Sequence, residues 1–207
     1  MAIEGDLRFL SHHDMMRAVE RAACRAKLPL RYTQGFNPHP VLSLTCPRPV
    51  GVASRDDLLT LRLDQEVQAS DLLGRLDRCA PRGMRFLRAR VLEGKGGPRI
   101  LKTHYELALQ AHQVEPVAAR LRELAGQECW TVERLISPKE GPKDKKARPI
   151  DLKPLIGELR LDETVLRWQG VPQGDLWARP GELLALLGLD QRVDLARGVR
   201  TAVEYDT

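Results

Sequence analysis

The chain has 207 residues, of which 43% are hydrophobic and 29% are charged, and this composition excludes a disordered or fibrous protein. Only 4% of the residues are aromatic, so the core has to consist mainly of leucine, valine and alanine. The formal net charge of +5 is compatible with a polyanionic partner such as nucleic acid.

The first half of the chain predicts the element order β-α-β-β-α-β. Its first helix has apolar residues at helical spacing until Pro29 stops it, and strict alternation marks a half-buried strand further on. The predicted strands cover residues 7–10, 41–46, 59–64 and 84–92, and the predicted helices cover residues 14–27 and 69–80.

The second half repeats this order of elements after the glycine-rich residues 94–98. Pro180 is well placed in the first turn of the last helix. The predicted strands cover residues 104–110, 129–136, 155–161, 165–170 and 193–205, and the predicted helices cover residues 114–124 and 180–187.

This order of elements predicts an α+β protein made of two ferredoxin-like (βαββαβ) modules in tandem. The first module covers residues 1–93, a linker covers 94–102, and the second module covers 103–207. We expect antiparallel sheets with helices on one face of each. A single larger mixed sheet is the alternative.

Positive charge is concentrated in three places along the chain. Arginines spaced four apart on the first helix should form a stripe beside its apolar face. Two further basic stretches cover residues 78–102 and 139–148. If RNA is the partner, we expect phosphate contacts from Arg17, Arg21, Arg25, Arg85, Arg88, Lys145 and Lys146.

Polar side chains flank the start of the first helix. Ser11 followed by Asp14 is a variant of the capping box, and the exposed N–H groups of that turn favour anions. The turn over residues 34–40 contains a glycine that permits positive φ and two prolines that stiffen it. We expect a polar pocket formed by Ser11, His12, Asp14, Asn37 and His39.

This pocket leaves two interpretations open. Imidazoles beside a carboxylate suit acid–base catalysis or metal binding, so an enzyme that uses His12, Asp14 and His39 is one hypothesis. The other interpretation is that His39 has a structural role and that its side chain links the turn to the helix cap. Because the metal-binding spacing of two histidines on one helix is missing, we expect no metal, and no motif indicates a cofactor.

The remaining aromatic and sulfur-containing residues are expected in the core. Phe9, Phe36 and Phe86 belong to no ribonucleoprotein motif, and Trp168 and Trp177 suit the core better than an interface. The four cysteines are far apart and form no C-x-x-C pair, so we expect reduced thiols that serve as small core residues. Without a signal pattern or a long apolar run, we expect a cytoplasmic protein with no membrane partner.

The first 52 residues resemble the signature of the radical-SAM-linked protein family. The matching segments are Gly-Asp-Leu-Arg-Phe-Leu-Ser-His (5–12), Asp14, Arg17, Glu20-Arg21, Leu28-Pro29, Gly-Phe-Asn-Pro-His-Pro (35–40) and Pro-Val-Gly-Val (49–52). Residues 178–184 and Arg200-Thr201 also resemble segments of this family. This chain departs from the family at His13, where a hydrophobic residue is usual.

The resemblance implies a domain of unknown function that is fused to, or encoded beside, a cobalamin-binding-type radical SAM protein. The chain lacks the radical SAM cysteine motif, so the resemblance makes it the linked partner. We therefore expect an accessory protein of a radical SAM modification system that binds RNA (tRNA or rRNA), the radical SAM enzyme, or both. The alternative is the His/Asp enzyme described above.

Overall fold

A computed structural model describes residues 1–92, 97–136 and 146–206 of the chain, apart from the side chains of Ile136 and Lys146. The chain divides into two compact units. Unit 1 comprises Met1–Leu101 together with Val199–Thr207, and unit 2 comprises Lys102–Gly198. In the described residues no helix has the length and apolar character needed to cross a membrane.

The described elements are eleven strands and four α-helices, in mixed order along the chain. From the start they are β1 (Ala2–Ile3), α1 (His12–Arg25), β2 (Leu42–Leu44), β3 (Ala53–Ser54), β4 (Leu59–Leu61), α2 (Ala69–Cys79), β5 (Met84–Arg85), β6 (Ile100–Ala108), α3 (Ala111–Ala125), β7 (Thr131–Ile136), β8 (Lys146–Asp151), β9 (Ile156–Asp162), β10 (Val165–Gly170), α4 (Pro180–Leu186) and β11 (Gly198–Tyr205). Short 3-10 helices cover Gly5–Phe9, Lys153–Leu155 and Leu195–Arg197.

Unit 1 contains the strand order β5-β1-β3-β11. The central strand β1 is antiparallel to both β5 and β3, and β11 runs parallel to β3. Strands β3 and β5 are therefore parallel to each other with β1 between them, which is the split βαβ arrangement. Strands β2 and β4 leave this sheet and pair with each other.

The core of unit 1 forms where α1 packs against this sheet. Met15, Val19 and Ala23 of α1 are buried in one cluster with Ile3 of β1 and Met84 of β5. This inner stripe of α1 follows the helical spacing of the sequence, as predicted. Because the stripe is buried, the opposite side of α1 is left in solvent.

A charged pair is buried in the same unit. Arg200 of β11 has no solvent exposure, and its guanidinium lies 2.7 Å from the Asp57 carboxylate. The same guanidinium also donates to the Cys46 carbonyl at 2.8 Å. This contact joins the end of the chain to its first hundred residues, although the intervening segment belongs to unit 2.

Unit 2 contains the antiparallel strand order β6-β10-β9 and a separate ribbon of β7 and β8. Tyr105 of β6 stacks on Trp168 of β10 with ring centroids 5.0 Å apart. The buried Arg134 of β7 donates to the Glu182 carboxylate at 2.6 Å, and Glu182 in turn accepts from the backbone N–H of Arg179 at the start of α4. These contacts fix α4 within unit 2.

The structure confirms an α+β protein but not two ferredoxin-like modules in tandem. In place of the predicted strand over residues 7–10 there is the 3-10 helix Gly5–Phe9, which is closed by a hydrogen bond from Leu10 N to the Leu7 carbonyl. The strand predicted over 84–92 ends after two residues, since the N–H of Phe86 donates to the Asp77 side chain instead of a neighbouring strand.

The predicted module boundary also differs from the observed units. Residues 199–207, which the prediction assigned to the module 103–207, join unit 1 because β11 pairs with β3. The sequence did not indicate β3, which has two residues, or β8, which begins within the charged stretch 139–148 and contains a proline. The linker 94–102 lies partly outside the described residues, and β6 begins within it.

We predict that the buried ion pair stabilises unit 1 far more than an exposed pair does. Arg200→Ala should lower the free energy of unfolding by about 3 kcal/mol or more, because it leaves the Asp57 carboxylate buried without its main partner. Arg31→Ala removes the partner of Asp64, and both side chains are about half exposed, so that loss should stay below about 1 kcal/mol. Urea unfolding of the two variants tests this, and equal losses would contradict it.

Candidate nucleic-acid interface

The first turn of α1 is capped as the sequence predicts. The N–H of Asp14 donates to the Ser11 hydroxyl oxygen at 3.2 Å, and that hydroxyl donates to the Asp14 carboxylate at 2.7 Å. Both hydrogen bonds are exposed. The pair therefore provides a hydrogen-bond acceptor for one free backbone N–H at the helix N-terminus, and it places a carboxylate beside the positive end of the helix dipole.

The outer side of α1 carries three exposed arginines, Arg17, Arg21 and Arg25. Residues four apart on a helix are neighbours, so the three guanidinium groups follow one line down the helix. We call this line the arginine ridge. Only Arg17 has an ion-pair partner on α1, since its guanidinium lies 3.7 Å from the Asp14 carboxylate.

Residues 31–39, which we call the 31–39 loop, are all exposed to solvent. Two hydrogen bonds between residues near its two ends close the loop. The N–H of Thr33 donates to the His39 carbonyl at 2.8 Å, and the N–H of His39 donates to the Thr33 hydroxyl at 3.0 Å. Gly35 has a φ of 133°, which only glycine adopts readily, so the predicted role of this glycine is confirmed.

The base of the loop touches the last turn of α1. The Tyr32 hydroxyl lies 4.0 Å from the Cys24 sulfur, and Cys24 stands on α1 between Arg21 and Arg25. Contact with the Cys24 thiol raises the pKa of Tyr32 above its ordinary value. The base of the loop therefore lies beside the last turn of α1, which carries Arg25.

Phe36 stands at the tip of this loop with its side chain fully in solvent, at 112% relative exposure. Phe9, which ends the 3-10 helix before α1, is also half exposed at 51%, and the Arg8 guanidinium lies over its ring. The expectation that both belong to the core is wrong, whereas Phe86 is buried as expected.

The residues predicted to form one polar pocket lie on two segments of unit 1. Ser11, His12 and Asp14 stand at the start of α1, whereas the 31–39 loop with Asn37 and His39 contacts α1 at Cys24, about 18 Å further along the helix. Among the described residues, no hydrogen bond joins His39 to the first group. The hydrogen bonds that the described structure gives to His39 are made by its backbone N–H and carbonyl.

The other predicted phosphate-binding residues do not belong to α1 or the 31–39 loop, and two of them are not fully described by the structure. Arg85 faces the side of the sheet opposite to Met84, which packs under α1, because successive residues of a strand alternate. Arg88 is paired with the Asp56 carboxylate at 2.8 Å. Lys145 lies outside the described residues, as does the side chain of Lys146.

The described residues contain no group of three or more histidine, cysteine or acidic side chains that could hold a metal ion. The rings of His12 and His13 are 5.9 Å apart and tilted by 59°. All four cysteines are free thiols, and Cys24 and Cys129 are exposed, which corrects the expectation that all four serve as core residues. Trp168 is buried in the core, as expected, and Trp177 is half-buried.

Residues 2–182 match the model of a family described as "Uncharacterized protein conserved in bacteria (DUF2344)". The chain belongs to this family. The matched residues include the arginine ridge and the 31–39 loop, and they end before β11. No curated protein matches the chain.

Phe36 is the residue of this surface that sequence reasoning assigned wrongly. One signal was available, since Phe36 lies between the turn residues Gly35 and Asn37-Pro38. It is also not part of a helical or strand-like pattern of apolar residues. Tyr32 gave no signal, because its contact with Cys24 depends on how the chain folds back after α1.

We predict that Ser11 acts as a helix cap. Ser11→Ala should lower the free energy of unfolding by about 1 kcal/mol, whereas Ser11→Asp should retain most of it, because Asp is also a good N-cap. Thermal or urea unfolding provides the comparison. If Ser11→Ala were as stable as the parent protein but lost binding or activity, Ser11 would belong to a functional pocket instead.

Proposed function

We propose that this protein binds RNA through the arginine ridge and the adjoining 31–39 loop, as an accessory protein of a radical SAM modification system. The observation that carries the proposal is the row of three exposed arginines on one side of α1. A row of guanidinium groups suits the regularly spaced phosphates of a nucleic acid backbone.

The guanidinium groups of the ridge retain N–H donors that can bind phosphate. Arg21 has no hydrogen-bond or ion-pair partner among the described residues. Arg17 is 72% exposed and its carboxylate partner is 3.7 Å away, a distance at which the pair contributes little stability. Arg25 donates to the Cys79 carbonyl at 2.7 Å, and this contact orients its charge without neutralising it.

The link to a radical SAM enzyme rests on the resemblance of residues 5–52 to the radical-SAM-linked family. The chain has no radical SAM cysteine motif, so the enzyme itself would be a separate polypeptide or domain. In such a system the accessory protein would present tRNA or rRNA to the radical enzyme in the cytoplasm. Its own part is binding, with no cofactor of its own.

An acid–base enzyme that uses His12, Asp14 and His39 is supported less well by the geometry. The Asp14 carboxylate accepts from the Ser11 hydroxyl and acts as part of a helix cap. His39 belongs to the loop that contacts the other end of α1. Acid–base catalysis needs all three groups within hydrogen-bond reach of one substrate atom, and no contact in the described structure joins His39 to His12 or Asp14.

We predict that the affinity of the purified protein for bulk tRNA and rRNA falls steeply with salt. Each phosphate contact releases counterions, so log affinity should fall linearly with log salt, with a slope of about 0.7 per contact on single strands. A filter-binding or fluorescence-anisotropy series measures the slope. No binding at low salt would refute the RNA-binding proposal and leave docking on the radical SAM enzyme as the function to test.

We also predict that charge reversal on the ridge has a larger effect than the same change elsewhere. Arg21→Glu should weaken RNA binding by more than about 1 kcal/mol and leave the unfolding curve unchanged, because Arg21 is exposed and unpaired in the described structure. Arg122→Glu on α3 of unit 2 is the matched control, since Arg122 is 70% exposed on a helix. Equal weakening by the two variants would show a response to net charge alone.

A further inference from the structure

We infer that Phe36 is a stacking platform for an unpaired base, so that the RNA taken by this surface is single-stranded where it meets the 31–39 loop. The inference rests on the RNA-binding function proposed above and specifies the substrate class of the same site. It is carried by the full exposure of Phe36, the closure of its loop, and the chemistry of the neighbouring residues.

The loop holds Phe36 out of the protein by local constraints. The two hydrogen bonds between Thr33 and His39, and the strand-like pairing of Tyr32 with Pro40, close the base of the loop. Proline on either side of His39 limits the backbone further. A ring held ready in this way loses little conformational freedom when a base stacks on it.

The surroundings of Phe36 favour a polyanion over an apolar protein surface. Residues 32–39 contain no acidic side chain, and Tyr32 at the base of the loop contacts Cys24, which precedes Arg25 on α1. An aromatic ring at a protein–protein interface is usually surrounded by other contacts that exclude water. Phe36 instead stands alone in solvent, on a loop whose base contacts the helix that carries the arginine ridge. This combination suits single-strand binding, in which bases stack on aromatic rings and phosphates pair with basic residues.

Two amide side chains beside Phe36 fit the same partner. Gln34 and Asn37 flank the ring in sequence, are exposed, and have no hydrogen-bond partner in the described structure. An amide offers both donors and an acceptor, so it can bind the edge of a base whose face lies on Phe36. In a duplex the base faces are already stacked, and a single ring at the tip of a loop finds no free face there.

The test compares Phe36→Ala with Phe9→Ala on a single-stranded RNA of about 12 nucleotides and on a duplex of the same length. Phe9 is the matched control, because it is an exposed phenylalanine of the same unit whose ring is covered by Arg8. Phe36→Ala should weaken single-strand binding about tenfold, which corresponds to the loss of one stacked base. Binding to the duplex and the salt slope should stay unchanged, as should all binding by Phe9→Ala.

A second variant reports stacking directly. Phe36→Trp should keep the affinity of the parent protein, and its exposed indole should lose fluorescence when the single strand is added but not when the duplex is added. The parent protein provides the background signal of its own three tryptophans.

The outcomes separate this inference from the proposed function. If Phe36→Ala binds the single strand as the parent does while Arg21→Glu binds it weakly, the stacking inference is wrong and the RNA-binding function stands. Equal losses on single strand and duplex, or equal losses from Phe36→Ala and Phe9→Ala, would also overturn the inference. If the parent protein binds neither RNA, both are refuted.

Discussion

The candidate interface depends on the burial of one side of α1 against the sheet of unit 1. Met15, Val19 and Ala23 lie in the core with Ile3 and Met84, and this packing fixes the rotation of the helix about its axis. When one face of a surface helix is buried, the opposite face is exposed to solvent. The arginine ridge is therefore a consequence of core packing, and a change in that packing would turn the ridge away from the RNA that we propose it binds.

The 31–39 loop depends on a different kind of constraint. Its shape comes from short-range contacts, namely the Thr33–His39 hydrogen bonds and the positive φ of Gly35, and not from apolar burial. One long-range contact, Tyr32 to Cys24, places it beside α1. Together, a rigid charged helix side and a closed exposed loop form a surface suited to binding, and no described contact assembles the predicted acid–base site on it.

The sequence predicted the features that depend on local patterns. Helical spacing predicts the buried stripe of α1 and the exposed arginines, and the residue preferences at a helix N-terminus predict the Ser11–Asp14 cap. The structure shows each of these features. Features that depend on distant contacts were predicted poorly. The pairing of β11 with β3 and the burial of Arg200 against Asp57 join residues more than a hundred positions apart, and no local pattern indicates them. The predicted pocket assumed that the turn returns to the start of α1, whereas its base contacts the end.

The most direct test of the account is ultraviolet cross-linking of bound RNA to the protein, followed by mapping of the cross-linked peptides. The account predicts cross-links in α1 and the 31–39 loop, with Phe36 or Tyr32 among the attached residues, since aromatic rings in contact with bases are well placed to react. Cross-links confined to unit 2, residues 102–198, would contradict the account, because RNA would then be held by a surface without the arginine ridge.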